Sequence, residues 1–513
     1  MTNGLPVGTA DSRRPSRSNP TGTAHRARWV AAPVVLVLAL TTASCSGGSS
    51  DGADQAPSTP STAVSAPPTT AAPLAFEPDP VTWEDCDAVY QCATLTVPLD
   101  WTDPDGATTD IAMVRVPAAD PARRLGSLWV NPGGPGGTGI GFALVGTFPD
   151  PVAERFDLIG WDPRGVGRSS DLECGDSVTA WLQADPSPDD RGERRALNRT
   201  ARSVAAECEA EDGDALPFLG ADNEARDLEA MRIAVGEDRL NYLGYSYGTL
   251  IGERYAAQFP THIRAMVLDG VVDPTRDHEQ SYLAQAAGYE QGLDAIFASC
   301  LDDPQCPVDD PQAAFDTVAA AVEVQRLPGG EHGLGPAEFG RASFFATYGE
   351  DQWAGYLQGL ADAMAGDGTA LARQAADYDL VSPYTSYAAI WCADKPHPVG
   401  AREWDAFVDR VVAVAPRIGA VEANELRPCA FWPAEPNRSM DPVVAPGSSP
   451  ILVVANTGDY VTVIGEARNV ANTLEDGHLL TVEADQHTSG GIPCADAAVG
   501  RYLVTVEPPT EDC

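Results

Sequence analysis

The sequence predicts an α/β chain: a mostly parallel central sheet flanked by helices, with a mainly helical cap inserted between strands. Three observations predict it. Short apolar runs bounded by turn residues recur at 111–116, 125–130, 156–161, 240–245, 265–268, 451–455 and 478–482. Several are continuously apolar, as parallel strands covered on both faces are. Stretches with helical spacing lie between them, and strand–helix alternation builds parallel sheets. From 275 to 447 the alternation stops, and Ala-, Gln- and acid-rich segments such as AAFDTVAAAVEVQ and DQWAGYLQGLADAMAG follow with helical periodicity. At 513 residues the chain is too long for one ordinary core. The sequence therefore divides into 1–45, 46–80, a sheet domain of 81–274 with 448–513, and the cap at 275–447.

The first segment is basic, then apolar, then small. Arg13, Arg14, Arg17, Arg26 and Arg28 precede the apolar run 29–40, and TTASC follows. That is an export signal, and the run is short for a membrane span. Ala43 and Ser44 place Cys45 in a bacterial lipobox, with Thr42 where Leu is usual; lipidation of Cys45 would anchor the chain to a membrane, and a freely secreted form is the alternative. Residues 46–80 are rich in Ser, Thr, Pro and Ala. They have too little apolar surface to offset ordering entropy and read as a disordered tether.

Removing Cys45 from 11 cysteines leaves ten. In an exported chain this reads as up to five disulfides. Neighbours in sequence give the simplest pairing: Cys86–Cys92, Cys174–Cys208, Cys300–Cys306, Cys392–Cys429 and Cys494–Cys513. No cysteine or histidine cluster has zinc spacing, so no metal is expected. Lys and Arg number 33 against 74 Asp and Glu, a net charge of −41. Such a surface repels nucleic acid and anionic headgroups and weakly favours cationic ligands.

Along the sheet domain, LGSLWVNPGGPGGTGIGF comes first. Gly134 to Gly139 satisfy Gly-x-Gly-x-x-Gly, and Asp157 and Asp162 follow at a distance suited to a ribose-binding acid, so dinucleotide binding is one reading. Pro132 and Pro135 argue against it, because they remove N–H groups from a loop meant to cradle a pyrophosphate. An exported chain also has little access to that cofactor. The other reading is an oxyanion loop, with the Gly134 N–H aimed at a substrate oxygen.

The segment DNEARDLEAMRIAVGE is a helix, capped by Asp222, striped by Ala225, Leu228, Met231 and Val235, and stopped by Gly236. Next, RLNYLGYSYGTLIGERYAAQFP passes from an apolar strand into a helix through Gly244-Tyr245-Ser246-Tyr247-Gly248. This reads as a nucleophile elbow, in which Tyr247 would supply the second oxyanion N–H; a turn that happens to hold a serine is the other reading.

A serine needs a base, and the base an orienting carboxylate, in the chain order Ser, Asp, His. Of seven histidines, His478 and His487 lie beyond the strand PILVVAN. His478 begins the next strand at its wrong end. His487 follows that strand, on a loop at the carboxyl edge. Asp459 follows PILVVAN directly; Asp476 sits beside a helix stop, and Asp485 is too close to His487 to face it. Ser246, Asp459 and His487 thus fall beyond strand carboxyl ends, where open α/β sheets build sites.

NPGGPGGTG, GWDPRGVGRSS, NYLGYSYGTLIGERYAAQFP, MVLDGVVDP, AIWCADKPHP and the late Asp and His blocks resemble the actinobacterial secreted tripeptidyl aminopeptidases. That family is a serine-peptidase branch of the α/β-hydrolase fold, similar to proline iminopeptidases, and the resemblance covers residues 81–513. It implies Ser246 as nucleophile with Asp459 and His487, a helical cap over the site, no cofactor, and removal of tripeptides or similar from free peptide N-termini. It also implies that Asp162 and Arg164 brace the oxyanion loop. Family members read Asp-Pro-Val-Thr-Pro and Gly-His-Gly where this chain has Asp459-Tyr-Val-Thr-Val and Gln486-His487-Thr488, which bears on pocket shape. An aminopeptidase must neutralise a substrate ammonium, and Asp394 (in the family's Cys-x-Asp), Glu350 and Asp351 are the candidates. A carboxylesterase with the same triad and a non-catalytic binding protein are the other readings.

Overall fold

The computed structural model describes residues 74–513 apart from Asp171. The expected export signal, the lipidated Cys45 and the tether up to residue 73 lie outside the described residues. The last stretch of the expected tether is packed instead: Leu74 rests against the core, and Phe76 meets the Trp101 ring edge-on at 5.8 Å. Leu74 and Phe76 are large apolar side chains, and they dock wherever an apolar surface is within reach.

Nine strands form one sheet: β1 (Glu84–Asp85), β2 (Gln91–Pro98), β3 (Thr108–Val116), β4 (Gly126–Asn131), β5 (Phe156–Trp161), β6 (Leu240–Tyr245), β7 (Ile263–Asp269), β8 (Ile451–Asn456) and β9 (Gly477–Val482). Their order is β1-β2-β3-β5-β4-β6-β7-β8-β9. The pairs from β1 to β5 are antiparallel, and those from β5 through β4 to β9 are parallel. The continuously apolar runs became the central strands; β4, β5 and β8 are buried along their whole length.

Alternation sends Leu128, Val130, Leu158 and Leu243 to one face and Trp129, Ile159, Trp161 and Tyr242 to the other. The C-terminal helix Pro493–Thr505 covers the first face with Ala495, Val499 and Leu503. The helices Ala221–Val235 and Tyr247–Gln258 cover the second with Leu228, Met231, Leu250 and Ile251. Two strands were not read from the sequence. In β2, Thr94 and Thr96 are exposed while Leu95 and Val97 are buried, so its apolar signal is halved. The two-residue β1 carries no apolar signal at all.

Between β7 and β8 the chain makes eight α-helices among the described residues, from His278–Asp302 to Gly419–Glu425, and no strand. The helix read around Asp222 runs from Ala221 to Val235 and ends on left-handed Gly236 (φ 83°). Its start corrects the reading. Asp222 is in the first turn, bonded to Arg254 Nε and Ser439 N at 2.7 Å each. The Ala221 N–H donates instead to Asp394 Oδ1 at 2.9 Å, a partner 173 residues away.

Disulfides join Cys86–Cys92, Cys174–Cys208, Cys300–Cys306, Cys392–Cys429 and Cys494–Cys513. Such a set marks an exported protein. No helix among the described residues is long and apolar enough to cross a membrane.

Asp162 and Arg164 part company. Asp162 accepts from Ile140 N at 3.2 Å and Arg168 N at 3.0 Å, and so holds the helix Gly139–Val145 that follows the glycine loop. Arg164 turns away from that loop. It donates to Asp227 at 2.7 and 2.6 Å and to the carbonyls of Leu99 and Phe218 at 2.8 and 2.9 Å, with both charged side chains 2% exposed. Truncating one member of a buried, fully bonded pair strands the other charge. Arg164→Ala should therefore lower unfolding stability by about 3–5 kcal/mol in denaturant titrations. Activity per folded molecule should stay near wild type.

Candidate active site

β6 delivers Ser246 at φ 53° and ψ −125°, a conformation that only tight surroundings impose on a side-chain-bearing residue. The two glycines of the motif allow it. A Cβ on Gly244 would sit 2.5 Å from Gly248 O, and one on Gly248 would sit 2.7 Å from Asn131 Oδ1. Ser246 N continues the β6–β7 ladder by donating to Asp269 O at 2.9 Å, and Ser246 O accepts from Thr249 Oγ1 at 2.7 Å. Gly133 of the glycine loop presses against this turn. Its Cβ position is 2.8 Å from Tyr247 N and 2.4 Å from Tyr245 O, at φ 90°. Tyr247 is the first residue of its helix, where N–H groups have no intrahelical acceptor.

His487 lies on the loop after β9. Its Nδ1 is 3.0 and 3.1 Å from the two carboxylate oxygens of Asp459, on the loop after β8. Asp459 also accepts from Val461 N at 2.9 Å, Thr462 N at 2.8 Å and Thr462 Oγ1 at 3.0 Å. With Nδ1 donating to a carboxylate, the proton-accepting nitrogen is Nε2. The loop is anchored three ways. Asn456 Nδ2 donates to Gln486 O at 2.8 Å and Thr488 O at 2.6 Å. His487 N donates to Tyr348 O at 2.8 Å, a carbonyl of the helical insertion. The Tyr348 ring also meets the imidazole edge-on at 5.3 Å.

Ser246, His487 and Gly134 line one cavity of about 400 Å³, with Tyr245, Phe142, Thr147 and Gly490 from the sheet domain and Tyr348, Val381 and Ser382 from the insertion. Asp459 stands directly behind His487. His487 supplies the cavity's sole titratable group besides tyrosine hydroxyls among the described lining residues.

The acids considered for a substrate ammonium go elsewhere. Asp394 is fully buried; it accepts from Tyr247 Oη at 2.5 Å as well as from Ala221 N, and it does not line the cavity. Burial pushes its carboxyl above the ordinary range, opposed by Arg438 and the Tyr247 bond. Glu350 and Asp351 open the helix Glu350–Met364 and line a separate hollow with Glu483 and Asp485. Asp157 and Asp162, weighed above for a ribose, are committed to the fold: Asp157 accepts from Ala118 N at 2.9 Å and Arg124 Nε at 2.7 Å. Sequence reasoning passed over Asp269, Asn456, Thr462 and Tyr348. Asp269 and Asn456 did carry a signal, since each is the polar residue that closes an apolar strand.

A family described as TAP-like protein matches residues 415–513. The serine protease Hip1 of Mycobacterium tuberculosis is 34% identical over 83% of this chain and 89% of its own length. The chain belongs to the TAP-like family of serine hydrolases. Other relatives in it are a tripeptidyl aminopeptidase of Streptomyces coelicolor, 33% identical over 83% of this chain and 84% of that protein, and carboxylesterase B of Mycobacterium tuberculosis, 31% identical over 82% and 85%. In this TAP-like chain the segment outside the 415–513 match carries the serine elbow, and the segment inside it carries Asp459 and His487.

The buried bonds of Asp394 make a structural test. Asp394→Ala leaves the Tyr247 hydroxyl and the Ala221 N–H without their acceptor, at about 1–3 kcal/mol each. The melting temperature should fall, while KM for a peptide with a free N-terminus stays within about twofold of wild type, since Asp394 is not among the residues lining the cavity.

Proposed function

We propose that this chain is an exported serine peptidase that removes short peptides, tripeptides or similar, from free N-termini through Ser246, His487 and Asp459. The observation that carries the reading is the His487–Asp459 bond behind a cavity that also holds the strained Ser246. Family membership points the same way.

In this mechanism Ser246 Oγ attacks the carbonyl while His487 Nε2 takes its proton. Asp459 fixes the imidazole tautomer and stabilises the cation that forms. The N–H groups of Tyr247 and Gly134 stabilise the oxyanion; each such donor contributes about 3 kcal/mol to barrier lowering. His487 then protonates the leaving amine, and water resolves the acyl-enzyme by the same route reversed. Substrate is a peptide chain end. Carboxylesterase action is the second reading, favoured by the similarity to carboxylesterase B.

The discriminating experiment is a panel of tripeptide amides, N-terminally free and acetylated, beside simple acyl esters. Free peptides should be cleaved with kcat/KM at least about tenfold above acetylated ones; esters outrunning both would favour the esterase. Ser246→Ala should lose about a millionfold in kcat and all labelling by a fluorophosphonate probe. We also propose that Cys45 carries the lipid anchor. Cys45→Ala should then move the protein from the detergent-extracted membrane fraction to the soluble one, and an unchanged membrane fraction would remove the anchor from the account.

A further inference from the structure

Asp269 ends β7 between the serine turn and the histidine loop, and it is bonded to both. Its main-chain carbonyl accepts from Ser246 N at 2.9 Å. Its carboxylate accepts from Ser489 N at 3.0 and 3.1 Å and from Ser489 Oγ at 2.6 Å. Asp269 and Ser489 are 1% and 2% exposed. Ser489 stands two residues after His487, across a left-handed Thr488 at φ 63°. The next residue along β7's exit, Gly270, passes so close beneath the loop that a Cβ there would lie 2.8 Å from Thr488 Cγ2 and 3.3 Å from His487 Cε1. No other residue holds both segments in this way among the described contacts.

We infer that Asp269 is a positioning residue that sets the separation of Ser246 and His487, its carbonyl fixing the serine turn and its carboxylate the histidine loop. The inference rests on Ser246 and His487 acting as nucleophile and base. The groups facing the carboxylate are Asp459 from the loop after β8, His487 from the loop after β9, and the Tyr245 hydroxyl from β6, itself acted on by Asp496 of the helix Pro493–Thr505. Burial pushes the Asp269 carboxyl up to about 7, the Ser489 bonds draw it down, Asp459 pushes it further up and His487 opposes that.

The test uses the full chain with Asp269→Asn and Ser489→Ala, the latter leaving the main-chain bond to Ser246 intact. Second-order labelling by a fluorophosphonate probe, kcat and KM on a tripeptide amide, and the circular dichroism spectrum are read together. Asp269→Asn should keep the folded spectrum, leave KM within about twofold and slow both labelling and kcat by about 10- to 100-fold, the scale of sub-ångström misplacement of reacting groups. Ser489→Ala should slow labelling in the same direction by about fivefold or more. If Asp269→Asn does not fold, Ser489→Ala decides alone. Wild-type labelling rates and an unchanged kcat in the folded variants overturn the inference while Ser246→Ala still abolishes labelling. Labelling that survives Ser246→Ala overturns the nucleophile reading, and this inference with it.

Discussion

The parallel register of β6, β7, β8 and β9 is the constraint on which the site depends. Tyr245 pairs with Asp269, Asp269 with Val454, and Asn456 with Val482. Four adjacent strands therefore end at nearly one level, and the loops that leave them have nowhere to go but across the same edge. Ser246, Asp459 and His487 are far apart in the chain, yet each is a few residues past such an end. Apolar burial on both sheet faces fixes the register, since slipping one strand by a residue would exchange its two faces.

Fine placement above that edge comes from buried polar groups rather than from apolar packing. Asn456 and Asp269 tether the histidine loop, and Asp394 ties the Tyr247 hydroxyl to the start of the helix Ala221–Val235. These bonds carry direction, which dispersion contacts do not. Asp394 is part of the helical insertion, so the insertion and the serine-bearing helix share one buried carboxylate. Its two oxygens are bonded to Ala221 N and Tyr247 Oη, and the Arg438 guanidinium stands 3.9 Å away, so the deep carboxylate is not left without partners.

What could be read from the sequence was whatever is local or periodic. Continuous apolar runs gave the central strands within a residue or two, and the spacing of Gly244, Ser246 and Gly248 gave the turn on which the serine stands. Asp459 and His487 were legible because position after a strand is itself a structural statement. β2 was not, since a strand with one wet face carries half the apolar signal. Asp394 was legible as a notable acid but not for its role, because its partners Ala221 and Tyr247 are 173 and 147 residues distant. Asp269 went unseen for the same reason: its side-chain bonds run to Ser489, 220 residues on.

The bond from His487 N to Tyr348 O has a bearing on how the cavity can change shape. The insertion and the histidine loop are fastened there and again by Glu350 N donating to Asp485 O at 3.1 Å, so lifting the whole insertion would pull on the loop that carries the imidazole. Change in the cavity's shape therefore falls to local shifts of lining side chains such as Val381 and Ser382 of the insertion.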